Sequence, residues 1–542
     1  MDIIRKTLIR CIQITFILMM CAIIILDFFF YEDAGYSCPN RTFLKYIVAG
    51  SLAVCTCYGI FRYIGKGLFA KIYSKIRRVP IDQVIKICSF LLFFYQVYAA
   101  YNIYFLTGWD VGGDVIPAAR LLASGDIQGF LETSTAYFSR YPNNIPMTSF
   151  FAWLLRLNVD IGIWGKQDEL MSILTVNCLI NTLTCFFTYK IIKTLQGRKA
   201  ACLGYFLAVL LLGLSPWLTI PYSDSLALIF PTAILYIYTR NAERLLFKCL
   251  KFAAIVSLAC IGYWIKPQTV IVAIAIVGIE VINHLNSLKK KTVKEAFLIF
   301  LACCICAGIF QGISVRVHTI EGFERDENRM LDMTHFFMMG LNQSVGGTWS
   351  GEDIEFSVSQ PTLEARHKAN LEEGWNRLKD FGINGYIRFL AKKTITAYND
   401  GTFAWAGEGG FWEEIYEPKN NVASPFLRSV YYSNGRNYMN WRYMAQTIWL
   451  AALLYTFGNF FLCKKMFKKF SRKYELVIFL SLIGLTMFQL LFEVRARYLY
   501  TYVPFFIILA TMGFQHMLEL VDRIGLYGRN IVFYVGRKIK QQ

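Results

Sequence analysis

Charged residues are scarce in this sequence of 542 residues: Asp, Glu, Lys and Arg make up 17%, whereas hydrophobic residues make up 56% and aromatic residues 16%. The mean hydropathy of +0.41 indicates too much apolar surface for ordinary soluble domains. We therefore predict an all-α polytopic membrane protein.

The sequence also lacks the features of several other classes. Its 15 cysteines lie mostly within apolar runs and show no zinc-type spacing, so we expect small core residues, no metal site and no other cofactor. The net charge of +19 comes from basic residues scattered through short loops, which argues against a nucleic-acid partner and for a lipid bilayer. There is no internal repeat and no low-complexity linker.

About 12 apolar runs approach the length of about 20 residues that a membrane-spanning helix needs. The first run follows Arg5, Lys6 and Arg10 and has no small-residue cleavage site, which predicts a retained helix and not a removed signal peptide. The runs cover roughly residues 8–30, 45–63, 84–107, 171–192, 201–219, 222–239, 252–266, 268–284, 296–317, 444–463, 476–493 and 498–518.

An amino terminus in the cytoplasm places every basic loop on the cytoplasmic side, as the positive-inside rule expects. The basic loops and tail are Arg62–Arg78 (with Lys66, Lys71, Lys75 and Arg77), Lys190–Lys199, Arg240–Lys251, Lys289–Lys294, Lys464–Lys473, and Arg529, Arg537, Lys538 and Lys540. We predict a multi-pass protein of the cell membrane with its site on the extracytoplasmic face. The expected divisions are 1–83 (two helices and a basic loop), 84–317 (a core that includes the loop 108–169), 318–442 (a large outer loop) and 443–542 (the last helices and the tail).

The two long outer loops have helical patterns of their own. In the first, Val115–Leu122 and Ile145–Leu157 are predicted to form helices that lie flat on the membrane. In the second, Pro361 opens a helical pattern that Gly382 closes, followed by a second helical stretch at Tyr386–Tyr398. The second loop also has aromatic residues around Gly407–Gly410, namely Trp349, Trp405, Phe411 and Trp412. They could bind sugar rings or acyl chains, or they could form an aromatic belt at the membrane interface.

The most informative polar cluster is Gly108–Asp114, where the third helix leaves the membrane. Its carboxylates, Asp110 and Asp114, are four residues apart and either could accept a proton from an incoming hydroxyl. The alternative is that one of them caps the following helix. We predict that both are catalytic.

Arg140, Tyr141, Pro142 and Asn143 follow in the same loop. Proline and asparagine by themselves make a turn, which is the simplest interpretation of this string. Arg140 is harder to explain in that way, so Arg140, Tyr141 and Asn143 are predicted to bind substrate.

A second charged cluster precedes the last apolar run. Glu493, Arg495, Arg497 and Tyr498 lie on the outer side, where positive charge is otherwise sparse. An arginine there can bind a phosphate in a forked geometry while Glu493 holds its partner. Contact of the arginines with lipid headgroups is the alternative, but it explains the whole group poorly.

Two further outer helix ends carry charge. Lys266 lies between Trp264 and Pro267, and Asp224 lies in Pro221–Ser225. Both are predicted to contact substrate, although a helix cap explains Asp224 equally well.

The order of these elements resembles the C-type glycosyltransferases that use polyprenyl-phosphate sugars, in particular protein O-mannosyltransferases and lipid A aminoarabinose transferases. In that branch the first outer loop starts with an aspartate, runs through a flat helix to a Gly-Asp element, and meets a Lys-Pro-Pro turn. Here Asp110, the helix through Ala119 and Leu122, Ser124–Asp126 and Tyr141–Pro142 follow the same order. The resemblance covers about residues 84–518.

The chain departs from that pattern at two positions and in its first two helices. Val111 replaces the second acid of an Asp-Glu pair, so Asp114 becomes the candidate partner of Asp110, and Asn143 replaces the second proline of the turn. Two helices also precede the usual first one.

The resemblance implies an inverting transfer in which Asp110 deprotonates an acceptor hydroxyl and a polyprenyl phosphate leaves. Arg495 and Arg497, with Lys266 or Arg140, offset the phosphate charge, so no metal is needed. The expected partners are a polyprenyl-phosphate-linked sugar, a cell-envelope glycan, lipid or protein acceptor, and the bilayer.

Two rival functions remain open. An envelope polysaccharide polymerase or ligase would use a diphosphate-linked glycan and need no aspartate in the first outer loop. A transporter or flippase of lipid-linked substrates would place charges near the bilayer midplane and use broken helices in paired halves.

Overall fold

A computed structural model describes residues 2–30, 39–63, 80–285, 290–405, 412–462 and 472–539. Within these ranges the chain is helical, and its only extended pairing is an isolated antiparallel bridge between Leu106 and Glu414. The prediction of an all-α membrane protein is confirmed. The basic stretches at 64–79, 286–289 and 463–471, Lys540, Gly407–Gly410 and Phe411 lie outside the described residues.

The α-helices are named here in chain order. They are α1 Asp2–Phe29, α2 Arg41–Tyr63, α3 Ile81–Ile103, α4 Ile116–Ser124, α5 Ile127–Thr133, α6 Thr135–Arg140, α7 Ile145–Ile161, α8 Met171–Gln196, α9 Arg198–Ala208, α10 Ser223–Leu226, α11 Ile229–Thr239, α12 Leu245–Ile265, α13 Ile271–His284, α14 Lys290–Val317, α15 Met333–Gly340, α16 Gly351–Val358, α17 Leu363–Tyr398, α18 Ala423–Tyr431, α19 Tyr438–Leu462, α20 Lys473–Leu491 and α21 Val503–Ile539. Short π turns lie at Val111–Val115 and Val209–Gly213, and 3-10 turns at Pro142–Asn144, Lys166–Asp168, Pro216–Thr219, Pro267–Val270, Glu327–Arg329 and Ala496–Tyr502.

Nine helices in the described part of the chain are long and apolar enough to cross a membrane, so the predicted count of about 12 is not confirmed. They are Ile3–Phe29, Arg41–Ile60, Ile81–Ile103, Met171–Gln196, Leu245–Ile265, Pro267–His284, Val293–Val317, Lys473–Leu491 and Ala496–Gly525. The run predicted at 201–219 is interrupted by the π turn and by Pro216, which begins a 3-10 turn. The run at 222–239 forms a shorter apolar helix, Ser223–Thr239, and the run at 444–463 is helical in α19 without being one of the nine.

Burial divides the spans into central and peripheral ones. In the spans that include α20 and the start of α21, 61% and 67% of the apolar window is buried, whereas the span in α14 has none of its window buried. Phe297, Phe300, Ile305 and Ile309 on α14 are each more than half exposed. An uncovered apolar face of this length is suited to lipid, which agrees with an integral membrane protein.

The first long loop contains helices where the pattern predicts them. Helices α4 and α7 correspond to the two stretches expected to lie on the membrane, and they pack against each other. Gly125, with φ of 79°, ends α4, and the Asp126 carboxylate accepts a hydrogen bond from the Gly129 N–H at 2.9 Å to cap α5. The Ser124–Asp126 element therefore has a structural role of helix end and helix cap.

The second long loop is built around α17. Helix α17 begins directly after Pro361, as predicted, and Thr362 is its cap: the Thr362 hydroxyl accepts from the Ala365 N–H at 3.2 Å. Gly382 has φ of 57° and ψ of 177° and bends the helix at the position where the sequence predicts an end. The described residues at 104–170, 318–405 and 412–437 are called the loop end below; the two loops contact each other, as in the hydrogen bonds from the Leu331 N–H to the Arg140 carbonyl and from the Leu106 N–H to the Glu414 carbonyl, both 3.0 Å.

The aromatic residues of the second loop are a correction to the sequence analysis. Trp405 is only 1% exposed and donates its indole N–H to the Tyr431 carbonyl at 2.8 Å. Trp412 packs against Phe105, with ring centroids 4.0 Å apart. Trp405 belongs to the packed interior and offers no open platform for a sugar, whereas Trp412 is half-buried against Phe105. Trp349 is 55% exposed.

The bend at Gly382 predicts opposite effects for two neighbouring glycines. Gly382→Ala places a β-carbon on a left-handed backbone and should lower the free energy of unfolding by about 1 kcal/mol or more. Gly385→Ala is the matched control: Gly385 has ordinary φ and only ordinary contacts, with Phe381 Cβ 3.7 Å from the added carbon, so the variant should gain about 0.5–1 kcal/mol. Denaturant unfolding of both variants measures the difference, and equal effects would contradict the role given to Gly382.

Candidate functional site

Interruptions between helices bring the predicted site residues to the loop end. Asp110 follows α3, Asp224 lies in the first turn of α10, and Lys266 separates α12 from the 3-10 turn before α13. The segment from Glu493 to Arg497 separates α20 from the 3-10 turn before α21. At such breaks some backbone N–H and C=O groups have no hydrogen-bond partner within a helix. Charged side chains can therefore lie beside polar backbone groups there instead of among apolar side chains.

Asp224 is the centre of an ion cluster, called the Asp224 cluster below, with Lys266 and Arg497. The Asp224 carboxylate is 1% exposed; its Oδ1 accepts a short hydrogen bond from Lys266 Nζ, and its Oδ2 lies 3.4 Å from Arg497 Nε. Lys266 Nζ also lies 4.2 Å from the centroid of the Tyr498 ring. One buried acid thus holds two bases from distant parts of the chain.

Asp224 does not act as a helix cap, which was the alternative to a substrate contact. The Ser225 hydroxyl accepts from the Tyr222 N–H at 3.2 Å, whereas the Asp224 carboxylate turns to the two bases. Serine satisfies the orphan amide at the helix start, which leaves the aspartate for an ionic role.

Asp110 lies beside the Asp224 cluster. Its Oδ2 accepts a hydrogen bond of 2.9 Å from the Tyr222 hydroxyl, and no side-chain cap bond from Asp110 is found in the helix that follows. The guanidinium carbon of Arg497 lies 4.8 Å above the ring of Trp109, the residue before Asp110. Trp109 in turn stacks on the buried Trp217, with centroids 5.9 Å apart. Arg497 therefore links the first long loop to the end of the chain.

Asp114 lies close enough to Asp110 for their charges to interact. Burial, with the Asp110 charge as a second cause, raises the pKa of Asp114 to about 6. A carboxyl group with that pKa exchanges its proton near neutral pH, as acids and bases in enzyme sites do.

Tyr141 lies between the two acidic segments. Burial raises its pKa, and the charges of Asp110 and Glu493 add to that rise, whereas Arg140 opposes it. Tyr141 is therefore within electrostatic reach of both the first loop and the segment before α21. Arg140 Nε is buried and has no hydrogen-bond partner among the described residues. Asn143 is exposed and donates to Asn144 Oδ1 at 3.2 Å, so the structure does not bring it to the cluster.

Glu493 and Arg495 form a pair of their own, with Oε1 of the former 3.4 Å from Nε of the latter. Arg495 lies in extended backbone, with φ of −149° and ψ of 144°, where residues two apart share a face, as Glu493 and Arg495 do. The 3-10 turn that begins at Ala496 then changes the direction of the chain, and Arg497 faces Asp224.

Lys393 of α17 fixes the segment that carries these arginines, and the sequence analysis missed it. Its fully buried Nζ donates to the carbonyls of Gly340, Leu490 and Phe492 at 2.8, 3.0 and 2.6 Å. Burial lowers the pKa of Lys393 to about 7, against the opposing charge of Glu493. The ammonium group satisfies the carbonyls left open at the end of α20 and so places the following residues.

Tyr222, Trp109, Tyr137 and Asn144 are further site residues that were not predicted. Tyr222 is part of the Pro221–Ser225 segment considered in the sequence analysis. Its hydrogen bond to Asp110 joins residues 112 positions apart, so no local sequence pattern could predict it. Tyr137 accepts from Asn144 Nδ2 at 2.6 Å and feels the charges of Asp110 and Asp114.

A comparison with protein families finds one whose description is conserved hypothetical integral membrane protein, and it matches residues 2–518. No curated protein and no solved structure matches the chain.

The raised pKa of Asp114 predicts a pH-dependent stability. Because the folded-state pKa is above its ordinary value of 3.8, the contribution of Asp114 is fully present below about pH 4 and is lost as the pH rises through about 6. The side chain of the Asp114→Asn variant cannot ionise. The melting temperature of the variant relative to wild type should therefore increase as the pH rises from about 4 to about 6. Scans at several pH values measure the gap, with Asp160→Asn, an exposed carboxylate, as the control. A gap that does not change between pH 4 and pH 7 contradicts the assignment.

Proposed function

This chain belongs to a family of conserved hypothetical integral membrane proteins, and we propose that it is a membrane glycosyltransferase. It transfers a sugar from a polyprenyl-phosphate donor to a cell-envelope acceptor on the extracytoplasmic face of the cell membrane. The observation that carries the proposal is the meeting of Asp110 with the Asp224 cluster: a carboxylate and an arginine linked through Trp109, among residues at interruptions between helices.

Asp110 is suited to act as the general base. The Tyr222 hydroxyl fixes its Oδ2 at 2.9 Å, which leaves Oδ1 to accept the proton of an acceptor hydroxyl. The acceptor oxygen then forms the new bond to the anomeric carbon, and the bond from that carbon to the phosphate oxygen breaks with its electron pair. The products are an inverted glycoside, a protonated Asp110 and a polyprenyl phosphate.

Arg497 is suited to receive the leaving phosphate. It presents a fork of N–H donors, rests on the ring of Trp109 and contacts Asp224 at 3.4 Å. Lys266 adds a second positive charge on the other oxygen of the same acid. Lys266 thus neutralises Asp224, and Arg497 stabilises charge that develops on the phosphate in the transition state.

Asp110→Asn should reduce transfer by about 100-fold to 10,000-fold, because the amide cannot accept the proton. Mass spectrometry of envelope glycans from cells that lack the wild-type protein and produce each variant measures the loss. Asp126→Asn is the matched control, since it makes the same substitution in the same loop and asparagine caps a helix as well as aspartate does.

A folded Asp110→Asn protein that restores the wild-type glycan pattern removes Asp110 from the base role. An active Asp110→Ala protein favours the polymerase or ligase, which needs no aspartate at this place.

Arg497→Gln should weaken binding of a synthetic polyprenyl monophosphate by about 10-fold to 100-fold, the value of a hydrogen bond to a charged group. The purified protein in detergent is titrated with this probe, so no knowledge of the sugar is needed. Arg325→Gln, which disrupts a surface pair with Glu327, is the control and should bind as wild type does. Unchanged affinity of the Arg497 variant would contradict the phosphate role.

A transporter of lipid-linked substrates is the second candidate, and one observation favours it. The Asp224 cluster lies at interrupted helices, as ion and substrate sites of secondary transporters do. Purified protein in vesicles that moves a polyprenyl phosphate across the bilayer without any sugar transfer would support the transporter over the transferase.

A further inference from the structure

A second group of polar side chains is buried near the ends of α1, α17 and α20, and it contains none of the residues proposed for sugar transfer. Asp27 lies on the last turns of α1 and is 0% exposed; Asn40, Asn399 and Gln489 are 1%, 3% and 1% exposed. None of the four was predicted to take part in the site. We call them the Asp27 group.

The Asp27 group comes together through contacts with its neighbours. Gln446 Nε2 donates to both Asn40 Oδ1 at 2.7 Å and the Asn399 carbonyl at 2.6 Å, which places these two residues side by side. Burial raises the pKa of Tyr398, and the charge of Asp27 adds to the rise, so Asp27 lies near the end of α17.

The Tyr398 hydroxyl links the same place to α20. It shares a hydrogen bond of 2.6 Å with Thr486 Oγ1, and Gln489 lies one turn further along the same face of α20. Helix α1 packs against both α17 and α20. Four chain segments therefore bring polar groups to one buried region.

Most of the polar atoms of the Asp27 group have no hydrogen-bond partner in the described part of the chain. These are both carboxylate oxygens of Asp27, both amide atoms of Asn399, both amide atoms of Gln489, and Nδ2 of Asn40. A buried polar atom without a partner is costly, and a native structure rarely leaves several together unless something occupies the space between them. An ionisable group within a membrane span is also a marker of an ion or proton site.

We infer that the Asp27 group binds a monovalent metal cation, with Asp27 Oδ1 or Oδ2, Asn399 Oδ1 and Gln489 Oε1 as ligands. All of these are hard oxygen donors, the type that alkali and alkaline-earth cations prefer. Because all three oxygens are acceptors, none of them can hydrogen-bond another, and a shared cation satisfies them together.

The charge of the group selects a monovalent ion. One carboxylate neutralises one positive charge, whereas a divalent ion would leave an excess charge in apolar surroundings. In the described residues there is also no group of three or more His, Cys, Asp or Glu side chains that could hold a divalent metal. Buried water that accepts from the amide nitrogens completes the coordination.

The test is the melting temperature of the full-length purified protein in detergent, at constant ionic strength, as N-methylglucamine chloride is replaced by sodium or potassium chloride. A ligand that binds only the folded state raises the melting temperature, here by about 2 °C or more for one of the two ions. Asp27→Asn should abolish that rise. Asp380→Asn, an exposed carboxylate on α17, is the matched control and should keep it.

Gln489→Leu tests the site without touching the acid, and it should move the midpoint of the cation titration to higher concentration. A wild-type protein with the same melting temperature in all three salts overturns the inference. So does an Asp27→Asn protein that responds to sodium or potassium as wild type does. A wild-type protein that responds to neither cation, but has a pH response that Asp27→Asn abolishes, shows that Asp27 carries a proton and also overturns it.

Discussion

The buried carboxylate of Asp224 is the constraint on which the site geometry depends. At 1% exposure it cannot remain charged without compensation, and Lys266 and Arg497 supply that compensation from two other interruptions of the bundle. Because Arg497 also rests on Trp109, the same acid determines where the first long loop lies. Removing Asp224 would therefore disturb Asp110 although no hydrogen bond joins the two acids.

The interruptions themselves have separate local causes. Pro267 cannot continue the amide ladder of α12, and Lys266 before it takes the extended backbone that a following proline favours. The end of α20 has no proline and is held instead by Lys393, whose three bonds reach the open carbonyls. Gly340 is needed there because a β-carbon would lie 2.5 Å from the Phe492 carbonyl carbon. Contacts made by the second loop thus position the arginines near the end of the chain.

Composition and periodicity were sufficient for the fold class, for most of the spans and for the bend at Gly382, since each depends on local pattern. Charge at helix ends also singled out Asp110, Asp224, Lys266 and Arg497, which the structure brings together, although their roles stay a prediction. The sequence could not show the partners, because Tyr222, Trp109 and Lys393 meet the site through contacts between residues far apart in the chain. It also could not separate a buried aromatic such as Trp405 from an exposed one, since both occur in loops.

Under the proposed function, Arg497 exchanges its contact with Asp224 for the leaving phosphate, whereas Lys266 keeps its contact. The Lys266 ammonium group donates a hydrogen bond to Asp224 Oδ1, whereas Arg497 Nε lies 3.4 Å from Oδ2. A phosphate with a full negative charge competes more readily for Arg497 than for Lys266, because less interaction with Asp224 is lost. Lys266 then keeps the buried acid neutralised while Arg497 serves the leaving group, with its guanidinium carbon 4.8 Å from the Trp109 ring. The asymmetry of the two contacts therefore divides the cluster into a structural base and a substrate-binding one.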